Sequence, residues 1–143
     1  MNKMNKQKKR RRILVVDDEP DNTLVFKMGL EDGEFEVDAF NDPLLALSTF
    51  KPHSYDLLIL DVKMPAMNGF ELYEEMKKLD NNVKVCFLTA FGEGYTEEFR
   101  KRFPSFRSTF SPSSPSPSTS NISFIRKPIR IDDLVKKVNE IIR

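Results

Sequence analysis

A chain of 143 residues, 39% of them hydrophobic, can bury one ordinary core and is too short to hold two domains comfortably. No apolar stretch approaches the roughly 18 to 20 residues that cross a bilayer, and the charged N-terminus lacks the apolar run of a signal peptide; the reading is a cytoplasmic protein with no membrane span. The net charge of +1 hides an asymmetry, because Lys3, Lys6, Lys8, Lys9, Arg10, Arg11 and Arg12 crowd the N-terminus and leave a body of 16 basic against 22 acidic residues, about −6.

Residues 1–9 carry no apolar side chains besides Met1 and Met4 and read as a disordered basic tail, with the folded unit occupying 10–143. The first β-rich run, Ile13 to Val16, is followed by Asp17 and Asp18, and a helix begins near Pro20, for which a cap is the ordinary alternative role of Asp18. A second run covers Phe35 to Phe40, and Asp42 before Pro43 has the form of a helix cap. His53, the sole histidine, falls in the loop before the third run, Leu57 to Leu60, and reads as a surface residue. Asp61 ends that run. Asn68 before Gly69 marks the next helix start, and Leu72, Met76 and Leu79 follow at helical spacing.

The fourth run, Val83 to Leu88, contains the one cysteine, Cys86, which reads as a packed thiol, and Thr89 closes it. Ser111 to Ser120 holds only Ser, Pro and Thr, which cannot build a core, so a mobile inserted loop is expected over about 105–121, with Phe106 and Phe110 flanking the tract. Ile122 to Ile125 is the fifth run, followed by Lys127. A final helix presents Ile131, Leu134, Val135, Val138, Ile141 and Ile142 on one face, with Asp132 and Asp133 in its first turn.

Five strands alternating with helices imply an α/β fold: a parallel sheet covered on both faces, joined by right-handed crossovers into a doubly wound three-layer sandwich. Ligands of such sheets bind at the carboxyl ends of the strands. That edge collects Asp17, Asp18, Asp61, Thr89 and Lys127. Singly, each has an ordinary explanation as a cap, a strand-end hydroxyl or a solvated lysine. As a group they form an acidic all-oxygen site suited to Mg²⁺, with a hydroxyl and an ammonium placed for phosphoryl oxygens and Asp61 as the natural nucleophile.

Val15-Val16-Asp17-Asp18-Glu19-Pro20, Asp61-Val62-Lys63-Met64-Pro65-Ala66-Met67-Asn68-Gly69, Leu88-Thr89-Ala90 and Lys127-Pro128 resemble, in order and spacing, the receiver-domain signatures of two-component response regulators, from about Arg12 to Arg143. The resemblance implies a flavodoxin-like five-stranded sheet of order 2-1-3-4-5 and a stand-alone receiver without a fused DNA-binding domain. It also implies Mg²⁺-dependent transfer of a phosphoryl group to Asp61 from a histidine kinase or phosphotransfer protein. Asp18 and Asp61 would bind Mg²⁺ through carboxylates, Lys63 through its backbone carbonyl, and Asp17 through a bound water. Thr89 and Lys127 would contact phosphoryl oxygens, Ala90 would keep the site open, and Pro128 would follow a cis bond. Phe124 would be the switch aromatic, moving as Thr89 is drawn to the phosphoryl group. The switch would alter protein contacts at the face of the fourth helix, fifth strand and fifth helix, where the family also permits a homodimer. Such a protein is a phosphoacceptor signalling domain that catalyses its own phosphorylation and dephosphorylation, not a turnover enzyme.

The sequence departs from the family in the 38 positions from Thr89 to Lys127, a longer interval than usual, read here as a tolerated surface insertion. Lys63 and Phe91 occupy positions that influence phosphoryl lifetime in the family, and neither type fixes it. Rival readings are a phosphorylation-independent interaction module of the same fold, a haloacid dehalogenase phosphatase, and a nucleic-acid binder acting through the basic tail. The phosphatase needs a D-x-D motif on the first strand, where this chain has adjacent Asp17-Asp18.

Overall fold

The computed structural model describes residues 10–90, 101 and 121–142. The expected basic tail, Phe91 and the Ser/Pro tract with its flanking phenylalanines lie outside the described residues. Among the described residues the order is β1 (Arg12–Val16), α1 (Pro20–Asp32), β2 (Glu36–Phe40), α2 (Pro43–Thr49), β3 (Leu57–Asp61), α3 (Gly69–Leu79), β4 (Val85–Thr89), β5 (Ile122–Arg126) and α4 (Ile131–Ile142). The strands pair in parallel in the order β2-β1-β3-β4-β5, as expected. No described helix is long and apolar enough to cross a membrane.

The inner strands β1, β3 and β4 read as continuous apolar runs because both of their faces are covered, while the edge strands β2 and β5 admit Glu36, Asp38 and Arg126. Alternate side chains go to opposite layers. Leu14, Val16, Leu58, Leu60, Val85 and Phe87 join Phe70, Tyr73 and Met76 of α3 on one face. Ile13, Val15, Leu57, Ile59, Cys86 and Leu88 meet Phe26 and Leu30 of α1 and Leu134 and Val138 of α4 on the other. Burial pushes the Cys86 thiol up to about 12, in keeping with a packing role.

Helix boundaries follow their caps. Asp42 accepts the Leu44 N–H, and Asn68 forms a reciprocal capping box with Glu71 at the start of α3. The ordinary alternative for Asp18, a cap on α1, does not hold: Glu19 occupies the N-cap position without a side-chain cap, and Asp17 Oδ1 accepts the Glu19 N–H at 2.9 Å. α4 has no basic residue in its last turn, and other elements supply the cations: Lys84 Nζ donates to the Ile141 carbonyl and an Arg11 N–H to that of Ile142. Phe35 and Val83 precede their strands instead of joining them, yet both are buried. Leu79, expected on the apolar stripe of α3, is half exposed because it ends the helix. His53 is on the surface, as expected; its backbone N–H donates to buried Asp80, which ties the loop before β3 to the end of α3.

Candidate phosphoryl-transfer site

Parallel strands that stop in register deliver their following residues to one edge. Val16 of β1 pairs with Leu60 of β3, so Asp17 and Asp61 emerge side by side. Asp61 pairs with Leu88 of β4, and Thr89 pairs with Arg126 of β5. The Lys127 N–H then donates to the Thr89 carbonyl at 2.8 Å, which extends the ladder one residue past β5 and turns Lys127 into the edge. The Lys127-Pro128 peptide is cis.

Among the described residues, Asp17, Asp18 and Asp61 bring carboxylate oxygens within 4.8 Å of one another. Lys127 Nζ lies 3.2 Å from Asp61 Oδ1 and 3.5 Å from Asp17 Oδ2. Asp17 is fully buried, and Asp61 and Thr89 are nearly so. Burial, and then the neighbouring Asp17 charge, push the Asp61 carboxyl up to about 6 despite Lys127. Burial pulls the Lys127 ammonium down, but the charges of Asp61 and Asp17 outweigh it and hold it above its ordinary value.

The loop after β3 is pressed against Asp61. A Cβ on Gly69 would lie 2.4 Å from the Asp61 carbonyl oxygen, so only glycine fits, and the Gly69 N–H donates to the Val62 carbonyl at 2.9 Å. Between them the chain folds tightly, with Ala66 at φ 71° and the Met67 N–H on the Pro65 carbonyl at 2.7 Å, a γ-turn rarely adopted by an L-residue. Above the carboxylates opens a cavity of ≈ 530 Å³ lined by Asp18, Asp61, Lys63, Thr89, Ala90 and Lys127, among others. Phe124 is half-buried on β5, its ring centroid 5.4 Å from that of Phe87 on β4.

The five residues singled out at the strand ends are thus neighbours. Sequence reasoning overlooked three others. Glu19 lines the cavity. Asn22 donates to Asp17 Oδ2 at 3.2 Å, and Asn41 donates to the Asp17 carbonyl at 2.8 Å and to Thr23 Oγ1 at 2.9 Å. Asn22 carried a faint signal, a polar residue in the first turn of the helix after the acids. Asn41 carried none, since only the β1–β2 pairing brings it there.

The sequence model of the family described as "Response regulator receiver domain" matches residues 13–101; β5 and Lys127 lie beyond that match. The chain is 37% identical over 86 residues, 60% of its length, to the Sensor protein EvgS of Escherichia coli K12, and 42% identical over 82 residues, 57% of its length, to a CpxR homolog transcriptional regulatory protein of Haemophilus influenzae. These stretches make up only 7% and 35% of those relatives. Among solved structures, TrrA of Thermotoga maritima in complex with Mg²⁺ and beryllium fluoride is 31% identical, with a TM-score of 0.63 over 92% of this chain and 98% of that one. The non-phosphorylated HemR receiver domain of Leptospira biflexa is 25% identical, with a TM-score of 0.71 over 93% and 94%. A CheY-like receiver of Methanospirillum hungatei, 24% identical at a TM-score of 0.69 over 94% of each chain, shares the fold. The match over residues 13–101 is to a family whose two-component signalling role fits the acidic strand edge, and the chain belongs to the response regulator receiver domains.

Proposed function

We propose that Asp61 is the phosphoacceptor of a two-component switch. The observation that carries this reading is the placing of Asp61 between two further carboxylates and the Lys127 ammonium, 3.2 Å away, beneath an open cavity. An Asp61 carboxylate oxygen attacks the phosphorus of a phosphohistidine or small acyl phosphate. The phosphorus–oxygen bond to the aspartyl group forms as the bond to the leaving group breaks, and the leaving imidazole or acetate keeps the electron pair. Lys127 meets the phosphoryl oxygens opposite the acids, and the Thr89 hydroxyl donates to another. Exposed Ala90 leaves room for the donor.

The oxygen-only donor set of Asp17, Asp18 and Asp61, with the Lys63 carbonyl, fits Mg²⁺, which when bound supplies the charge neutralisation the phosphoryl group needs. That TrrA, a similar response regulator, is in complex with Mg²⁺ and beryllium fluoride supports Mg²⁺ as the ion for this site. Phosphorylation adds about −1.5 to −2 charges, and the pull on Thr89 is relayed to Phe124 and the outer face of β5, where protein partners or a second copy would read the state. Residues 10–143 act as the receiver, with a histidine kinase or phosphotransfer protein of the cytoplasm as donor. The test is intact-mass analysis after incubation with acetyl phosphate, with and without Mg²⁺, on wild type and Asp61→Asn. A Mg²⁺-dependent phosphoryl adduct on the wild type alone is expected. An adduct on both proteins, or on neither while both are folded, overturns the assignment and favours a non-switching interaction module.

A further inference from the structure

Asp17 is fully buried, so each of its carboxylate oxygens must keep a hydrogen-bond donor, and a bare buried carboxylate oxygen is costly. Oδ1 has a permanent one, the Glu19 N–H at 2.9 Å. Oδ2 has two: Lys127 Nζ at 3.5 Å and Asn22 Nδ2 at 3.2 Å. These two donors are not equivalent. Lys127 also lies 3.2 Å from Asp61, and the function proposed above requires its ammonium to turn towards an incoming phosphoryl group, away from Asp17. Asn22 is fixed in the first turn of α1 and has no such second duty. Its other amide hydrogen faces Glu19 Oε1 at 3.4 Å, which orients the amide with nitrogen towards the acids.

We infer that Asn22 is a positioning residue that keeps Asp17 Oδ2 hydrogen-bonded when Lys127 leaves it, and so releases Lys127 for the phosphoryl group. This inference rests on the receiver reading of Asp61, Asp17 and Lys127. Asn22 itself touches no reacting atom. Without it, Lys127 either stays with Asp17 or departs and leaves Oδ2 of a buried carboxylate with no protein donor, dependent on the Mg²⁺ site alone. The resting site is less affected, because there Lys127 still serves both acids.

The role separates two quantities that a merely structural residue would move together: stability of the metal-free protein, and affinity for a phosphoryl mimic. The experiment titrates fluoroberyllate into wild type, Asn22→Ala and Asn22→Asp at saturating Mg²⁺, and measures thermal unfolding of all three in EDTA. Asn22→Ala is expected to weaken fluoroberyllate binding about tenfold, the worth of one hydrogen bond to a buried charge, with an almost unchanged melting temperature in EDTA. Asn22→Asp keeps the shape but replaces the donor by an acceptor, so it should weaken binding further. Fluoroberyllate affinity of Asn22→Ala within twofold of wild type, or restored affinity in Asn22→Asp, overturns the role of Asn22 while leaving the receiver reading intact. Failure of the wild type itself to bind fluoroberyllate overturns both.

Discussion

Lys127 Nζ sits 3.2 Å from Asp61 Oδ1, yet the Asp61 carboxyl is still pushed up to about 6. One ammonium does not compensate for burial together with the charges of Asp17 and Asp18. The metal-free site is therefore electrostatically strained, and the strain is available to favour binding of a cation or protonation of Asp61.

The strain sets a pH dependence. With a folded value of about 6 against an ordinary 3.8, Asp61 prefers its neutral form in the fold. Its contribution is most favourable below about pH 4, is lost as pH rises through 6, and is flat beyond. The shift, which is already net of the Lys127 attraction, corresponds to about 2 to 3 kcal/mol. In EDTA, Asp61→Asn should match wild type near pH 4 and exceed it by about 2 to 3 kcal/mol above pH 7, as read by urea unfolding. Asp17, Asp18 and Lys127 remain in both proteins, so the difference isolates Asp61. A difference that is constant from pH 4 to 8 would rule out the raised carboxyl.

Removing the ammonium should act in the opposite sense. Lys127→Ala leaves Asp17 and Asp61 without their shared ion pair, and Asp61 should then titrate above 6. The expected outcome is a lower melting temperature in EDTA, a larger gain on adding Mg²⁺ than wild type shows, and acetyl phosphate labelling slowed by a factor on the order of 10². Labelling at the wild-type rate would remove Lys127 from phosphoryl contact.

The strands and the strand-end acids could be read from the sequence because each leaves a local mark: apolar runs such as Leu57 to Leu60, or Asp and Lys placed just after them; the order of the strands came only from the resemblance to receiver domains. Asn68 likewise announced its cap. Asn41 and the contact of Gly69 with Asp61 could not be read that way, and Asn22 left only the faint mark of a polar residue in the first turn after the acids. They depend on which oxygen faces which nitrogen after the sheet closes. Asn41, for instance, meets Asp17 only because β2 lies beside β1. The ordinary alternative for Asp18 could be dismissed only with the structure, for a related reason: a carboxylate before a helix is an equally good cap on paper, and the geometry gives the cap position to Glu19.

Helix propensity and packing make opposite predictions at Gly29. Glycine inside α1 costs about 1 kcal/mol relative to alanine on propensity alone, so Gly29→Ala should stabilise an isolated helix. In the fold, a Cβ there would lie 2.1 Å from Ile131 Cγ1, at the start of α4. Ile131 would have to leave its place between the helices. Packing should win, and Gly29→Ala is expected to lower stability by about 1 to 2 kcal/mol in thermal or urea unfolding, with the loss reversed when Ile131→Ala is added. An alanine that stabilises the wild-type background would show that α1 and α4 are less closely packed than described.

Gly69 differs in what its replacement would push against. The nearest atoms are not a side chain that can rotate but the carbonyl of Asp61 and the Cα of Val62, so Gly69→Ala must move the backbone that carries the acceptor. The cap at Asn68 and buried Phe70 hold α3 in place, which leaves the β3–α3 loop to absorb the displacement. A destabilisation of about 1 to 3 kcal/mol is expected from overpacking. The sharper expectation concerns function: Lys63 lies in that loop, two residues after Asp61, so a displaced loop misdirects its carbonyl and the acceptor together. Gly69→Ala should therefore weaken Mg²⁺ binding, measured by calorimetry below its unfolding temperature, by more than Gly29→Ala does at equal loss of stability. Equal Mg²⁺ affinity in the two variants would mean that the loop yields without moving Asp61, and that the glycine serves the packing of α3 alone.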